Sequence, residues 1–207
     1  MAHLKFTEKT TFFWFILLGI SSSLCFNYLN MLEKIKVDRM VFCLNLPVKS
    51  VDPLPRQLEK IKSARRMFKK NPNVLEPTYL IKQVPCYNAT ATLGTATLPG
   101  YIIFSGELVD DFSLGEFAGI MAHEFGHLES KLQARQQMIQ HYKIDAIAVE
   151  LVGKTLMLNA LQRLKLEQDI FYANHRMKSF IFPAYYQLEP IREEVTQRIN
   201  RLEALPD

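Results

Sequence analysis

The apolar positions of the chain change spacing from one stretch to the next. The first pattern has no period at all: from Thr10 to Leu29 almost every residue is apolar or small, and no charge appears before Glu33. An uncharged run of about 20 residues matches the hydrocarbon thickness of a bilayer, so one membrane-spanning helix is expected. A cleaved signal peptide is the competing reading, because Lys5 and Lys9 precede a compact apolar core that ends in Ser21-Ser22-Ser23. The apolar character resumes after those serines and no Ala-x-Ala site follows, which favours a retained anchor. No later stretch is long and apolar enough to span, so a single pass is expected.

Beyond the anchor the spacing becomes helical. Leu54, Leu58, Ile61, Arg65 and Phe68 fall on one face of an amphipathic helix that Asn71-Pro72-Asn73 stops. Thr78 to Val84 is rich in β-formers and ends at Pro85, and Tyr101 to Phe104 is a second short strand behind Pro99-Gly100. Between them, Ala89 to Leu98 alternates alanine and threonine and reads either as a third strand or as an extended loop. Ser113 and Glu116 have the spacing of a capping box, and Leu114, Phe117, Ala118, Met121, Phe125 and Leu128 continue as the apolar stripe of a helix. Further helices are expected from about 133 to 164 and from about 189 to 205, with no internal repeats. The sum is an α+β fold, mainly helical with a small β-sheet. Residues 1–32 form a tail and anchor, and 33–207 form one folded domain.

Composition changes this picture little. Hydrophobic residues make up 48% and charged residues 22% of 207, so a folded body rather than disorder is expected. The net charge of +4 has its clearest local source between Arg56 and Lys70, where seven basic residues face Glu59 alone. Such a stripe reads as a solvated helix face or, next to a membrane segment, as a contact for anionic lipid headgroups. Nucleic acid is not indicated, since no recognition motif or aromatic interleaving accompanies the charges. Lys34, Lys36 and Arg39 lean toward a cytoplasmic domain, whereas the common signal-anchor arrangement leans the other way, so the membrane face stays open. Cys25, Cys43 and Cys86 lack Cys-x-x-Cys spacing. Cys25 lies in the apolar segment, which leaves Cys43 and Cys86 as a disulfide in an oxidising compartment or as two buried thiols.

The chemistry is concentrated at His123-Glu124-Phe125-Gly126-His127. On a helix the two histidines stand one turn apart on one face, about 5–6 Å between β-carbons, so both imidazoles reach one metal ion, with zinc the natural guest. Glu124 stands beside that face, where it is able to take a proton from water whose pKa the metal lowers to about 7. The capping box upstream supplies the helical context that the motif requires.

Longer runs extend the pattern. Asn88-Ala89-Thr90-Ala91, then Leu98 through Leu108, then Glu116 through His127 resemble, in this order, the Asn-Ala-x-Ala segment, the strand with its Gly-x-Leu turn, and the active-site helix of the membrane metallopeptidase family of HtpX and the CAAX prenyl proteases. Downstream, Asp145 to Gly153 resembles that family's second helix and Gln197 to Leu202 its closing Arg-Ile-x-x-Leu helix. The resemblance implies a zincin-like domain and a zinc metalloendopeptidase that binds one Zn2+ and acts on polypeptide substrates. It implies His123 and His127 as metal ligands and Glu124 as the catalytic base. The oligomeric state is not legible.

One position departs from the family. Its third ligand is a glutamate four residues before the second-helix aspartate, and that position here is His141. An imidazole is as competent a zinc ligand as a carboxylate, so His141 completes a three-histidine set, with Asp145 one turn on available to orient a ligand. Glu150, Glu129 and Asp145 are the alternatives. Glu150 is nine residues from His141, about 180° around a helix, so these two cannot both face the metal. His175 is a loose candidate for stabilising an oxyanion. A substrate strand is expected to add to Tyr101–Ser105 as a sheet edge. The altered third ligand also keeps a second function open, a non-catalytic, membrane-tethered binding or chaperone-like module.

Overall fold

The computed structural model describes residues 22–32, 49–84, 86–94, 98–130, 138–179 and 188–206. Residues 22–32 form helix α1, on which Leu24, Phe26, Tyr28, Leu29 and Met31 are exposed. Most of the expected membrane span, residues 10–21, lies outside the described residues. Among those described, no helix is long and apolar enough to cross a membrane.

Helix α2, Pro55–Arg66, begins with proline at its first position, where the missing N–H costs nothing, and buries Gln57, Ile61 and Ala64. It ends at Arg66, five residues short of the expected stop. Arg65 occupies an apolar position of the stripe because its guanidinium lies 4.8 Å from the ring centroid of Phe68 and 5.3 Å from that of Phe125. The basic stripe is largely solvated: Arg56 pairs with Asp110 and Arg66 with Glu59, exposed ion pairs that add little stability.

Strands β1 (Thr78–Lys82), β2 (Ala89–Thr92) and β3 (Tyr101–Ser105) form one sheet in the order β1-β3-β2. β3 is therefore the central strand, parallel to β1 and antiparallel to β2, which corrects the expectation that Tyr101–Ser105 is an edge. The reason is distant in sequence: β2 pairs along the side of β3 that β1 leaves open, a pairing that the apolar pattern of the strand itself does not specify, and Ile102 and Phe104 of β3 are fully buried. The outer side of β1 is bridged by Val51, paired with Ile81. The outer side of β2 pairs with no strand among the described residues.

The Gly-x-Leu turn is a short helix, α3 (Gly106–Asp111), which buries Leu108 and Val109. Helix α4, Leu114–Ser130, is buried at every residue from Phe117 to Leu128. It is thus surrounded rather than amphipathic, packing against α2, β2 and the helices α5 (Met138–Val152) and α6 (Lys154–Ser179). Two glycines permit this. A β-carbon at Gly119 would lie 2.6 Å from Ala160 Cβ on α6, and one at Gly126 would lie 2.9 Å from Ile144 Cγ2 on α5. The single helix expected over 133–164 is divided between α5 and α6 at Gly153, whose φ of 93° reverses the chain where few other residues would. Helix α7, Leu188–Glu203, closes the bundle by burying Val195, Ile199 and Leu202.

Cys86 is disulfide-bonded and Cys25 is free and exposed, so the reading of Cys86 as a buried thiol does not hold. Cys43 lies outside the described residues.

Candidate metal centre

The start of α4 sets the phase of the site. Ser113 Oγ accepts the Glu116 N–H at 3.3 Å and Glu116 Oε2 accepts the Ser113 N–H at 2.8 Å, the reciprocal bonds of a capping box. From that start the helix carries His123 and His127 on one face, ring centroids 4.9 Å apart. α4 ends at Ser130, and α5 returns to place His141 5.7 Å from the ring of His123 and 5.8 Å from that of His127. Each of the three histidines offers a ring nitrogen lying within 4.8 Å of the others. A tetrahedral zinc ion with nitrogens about 2.0–2.1 Å away spaces them about 3.4 Å apart, so modest ring rotation closes this set around a metal.

The outer nitrogens are committed elsewhere, which is what aims the inner ones. His123 Nδ1 lies 2.8 Å from Asp145 Oδ1, while Arg198 Nη2 lies 3.2 Å from the same nitrogen. The ionised carboxylate only accepts, and Arg198 Nη2 already donates to Asp145 Oδ1, so the proton of the shorter His123–Asp145 bond sits on Nδ1 and Nε2 carries the free lone pair. Arg198 grips Asp145 in a fork, Nε to Oδ2 at 2.8 Å and Nη2 to Oδ1 at 2.7 Å. Burial alone would push the Asp145 carboxyl up, but Arg198 and the His123 bond outweigh it and hold it well below the usual range. The same burial, with Arg198 nearby, pushes His123 down against the pull of Asp145 and favours the neutral imidazole that a metal needs. His141 Nδ1 is hydrogen-bonded to Glu194 Oε1 of α7, and that bond holds the Glu194 carboxyl below its usual range.

Glu124, next to His123 on α4, is buried, and burial pushes its carboxyl up to about 8. Arg198 and a hydrogen bond from the backbone of Ala91 on β2 oppose that shift. Its Oε2 has no partner among the described residues. An orphaned carboxylate oxygen beside three converging imidazoles is what a site for a metal and a water would leave open.

The alternative third ligands fall elsewhere. Glu150 is exposed and ion-paired with Lys70 at 2.5 Å, and Asp145 is occupied by Arg198 and His123. Glu129 stands at the end of α4, outside the cluster. The side chain of His175 lies outside the described residues. Two residues near the site carried no role in the sequence. Arg198 and Glu194 are four apart on α7, hence on one helical face. That spacing is visible in the sequence, but their partners, more than 50 residues away, are not.

No curated protein and no solved structure matches the chain. A model of peptidase family M48 does, over residues 55–198, from the start of α2 through Arg198. That span is more than half of the chain and encloses the whole histidine cluster and both carboxylates behind it. The chain therefore belongs to peptidase family M48, the zinc metallopeptidases that include HtpX and the CAAX proteases.

Proposed function

We propose that the protein is a membrane-anchored zinc metalloendopeptidase in which His123, His127 and His141 hold one zinc ion and Glu124 is the general base. The observation that carries this reading is the convergence of three imidazoles beside a buried glutamate with one unpartnered oxygen. When bound, zinc supplies a lowered pKa for water, about 7, and polarises the scissile carbonyl. The remaining work belongs to the chain. Glu124 takes the proton of the attacking water and delivers it to the departing amine, as its position beside the ligand face allows. Asp145 and Arg198 keep the ring of His123 fixed through this exchange. The substrate backbone adds as a strand to the open side of β2, giving sequence-tolerant binding. β2 reaches the site directly, through the bond between Ala91 and Glu124.

Replacement of His141 tests the ligand set. His141→Ala is expected to weaken zinc binding at least tenfold in a competition titration with a chelating dye, whereas His141→Glu keeps affinity within about tenfold of wild type. Affinity unchanged within twofold in His141→Ala would defeat the three-histidine set. A purified protein holding under a tenth of an equivalent of zinc would point instead to the non-catalytic module.

The same reading makes residues 1–32 a tail and anchor and 33–207 the catalytic domain. The disulfide at Cys86 supports an oxidising compartment for that domain. The full chain is expected to stay with membranes through an alkaline carbonate wash, and the chain lacking residues 1–30 to be soluble and to bind zinc. In both, a maleimide is expected to label Cys86 only after reduction. A truncated chain that is unfolded would make the apolar segment part of the core, and labelling of Cys86 without reductant would remove the argument for the compartment.

A further inference from the structure

We propose that Glu194 is a positioning residue for His141, one that fixes its tautomer and aims its Nε2 at the point where His123 and His127 converge. The inference rests on His141 being a ligand and names the group that makes it one. His141 lies in the first turn of α5, three residues from the helix start. A contact from across the fold is available to orient it: Nδ1 is bonded to Glu194 Oε1, while the ring centroid lies 5.7 Å from that of His123 and 5.8 Å from that of His127. A carboxylate only accepts, so this bond puts the proton on Nδ1 and frees Nε2 as the ligand atom.

α7 is held in place for this purpose by its apolar side, with Val195, Ile199 and Leu202 buried. Its polar positions Glu194 and Arg198, one turn apart, then meet α5 at His141 and Asp145, also one turn apart. The two contacts do the same thing for two different imidazoles. Asp145, gripped by Arg198, holds His123 from behind, and Glu194 holds His141 from behind. Three neutral imidazoles return none of the charge of a divalent ion, and a carboxylate bonded to the far side of a ligand ring raises the basicity of that ring. Glu194 thus couples the closing helix to the metal through His141.

The test uses the full chain and zinc alone as probe. Glu194→Ala is expected to lower zinc affinity about 10- to 100-fold, the range for loss of a group behind a ligand. Glu194→Gln keeps an acceptor for the Nδ1 proton without the charge, and its loss falls between the two. In a His141→Ala background Glu194→Ala is expected to add nothing. Nitrogen NMR of the metal-free protein supplies a readout that simple helix docking would not move: His141 is the Nδ1–H tautomer in wild type and Glu194→Gln, and turns to Nε2–H in Glu194→Ala. Zinc affinity within twofold in Glu194→Ala, alongside a strong loss in His141→Ala, overturns this inference and leaves the three-histidine set standing. An equal loss from Glu194→Ala with or without His141 also overturns it, and no effect of His141→Ala overturns both.

Discussion

Replacing Glu124 with glutamine is expected to lower peptide hydrolysis on the order of 10³- to 10⁴-fold while leaving zinc content and melting temperature close to wild type. The amide keeps the size and nearly the shape of the carboxylate, and the backbone of Ala91 still finds an oxygen acceptor. What it loses is the capacity to accept the proton of water. The site is well arranged to expose this difference, because Glu124 is buried and its Oε2 has no partner among the described residues. Cleavage of an unstructured polypeptide such as casein, followed with matched zinc occupancy, is the measurement. Activity within tenfold of wild type would remove Glu124 as the base.

Arg198→Met is expected to produce the largest loss of stability of any single change near the site. Asp145 is 2% exposed, and its charge is balanced by the Arg198 fork. Removing the guanidinium leaves a buried carboxylate uncompensated, at a cost of about 3–5 kcal/mol, which for a domain of this size lowers the melting temperature by about 10 °C. Replacing both partners, Asp145→Leu with Arg198→Met, is expected to recover most of that loss, since a well-packed apolar pair of similar volume is close to neutral against a buried ion pair. Zinc affinity is not expected to recover with it, because His123 has lost the carboxylate behind its Nδ1. Thermal melts and zinc titrations of the single and double variants separate the two roles. A single variant that melts within 2 °C of wild type would contradict the buried ion pair.

The features that the sequence disclosed are those whose cause is local. The capping box of Ser113 and Glu116 needs residues three apart, and the pairing of His123 with His127 needs one turn of helix. His141 came from the family resemblance, which puts the third ligand four residues before Asp145, and its ring lies close to those of His123 and His127. The features that stayed hidden have distant causes. Tyr101–Ser105 is as apolar as an edge strand with one buried face would be, and only the strand paired on its other side makes it central. Gly153 sits inside an apolar pattern that continues on both sides, so periodicity passes over a break set by backbone conformation. Arg65 looked like part of an apolar stripe because two aromatic rings accept its guanidinium. Glu194 looks like one more charge on a polar helix face until α5 is brought against it.

Gly126 lies inside the five-residue motif and is set against the backbone oxygen and side chain of Ile144, three residues beyond His141. On the three-histidine reading, the distance between α4 and α5 at that point is also the distance across which a metal would be shared. Zinc then acts as a rivet through two helices that a missing side chain allows to touch. Saturating metal at 1,000 times its dissociation constant would add about 4 kcal/mol to the folded state, all of it delivered at this one seam. Metal affinity and core cohesion then cannot be tuned separately in this protein: anything that wedges the seam open loosens the metal, and anything that withdraws the metal loosens the seam.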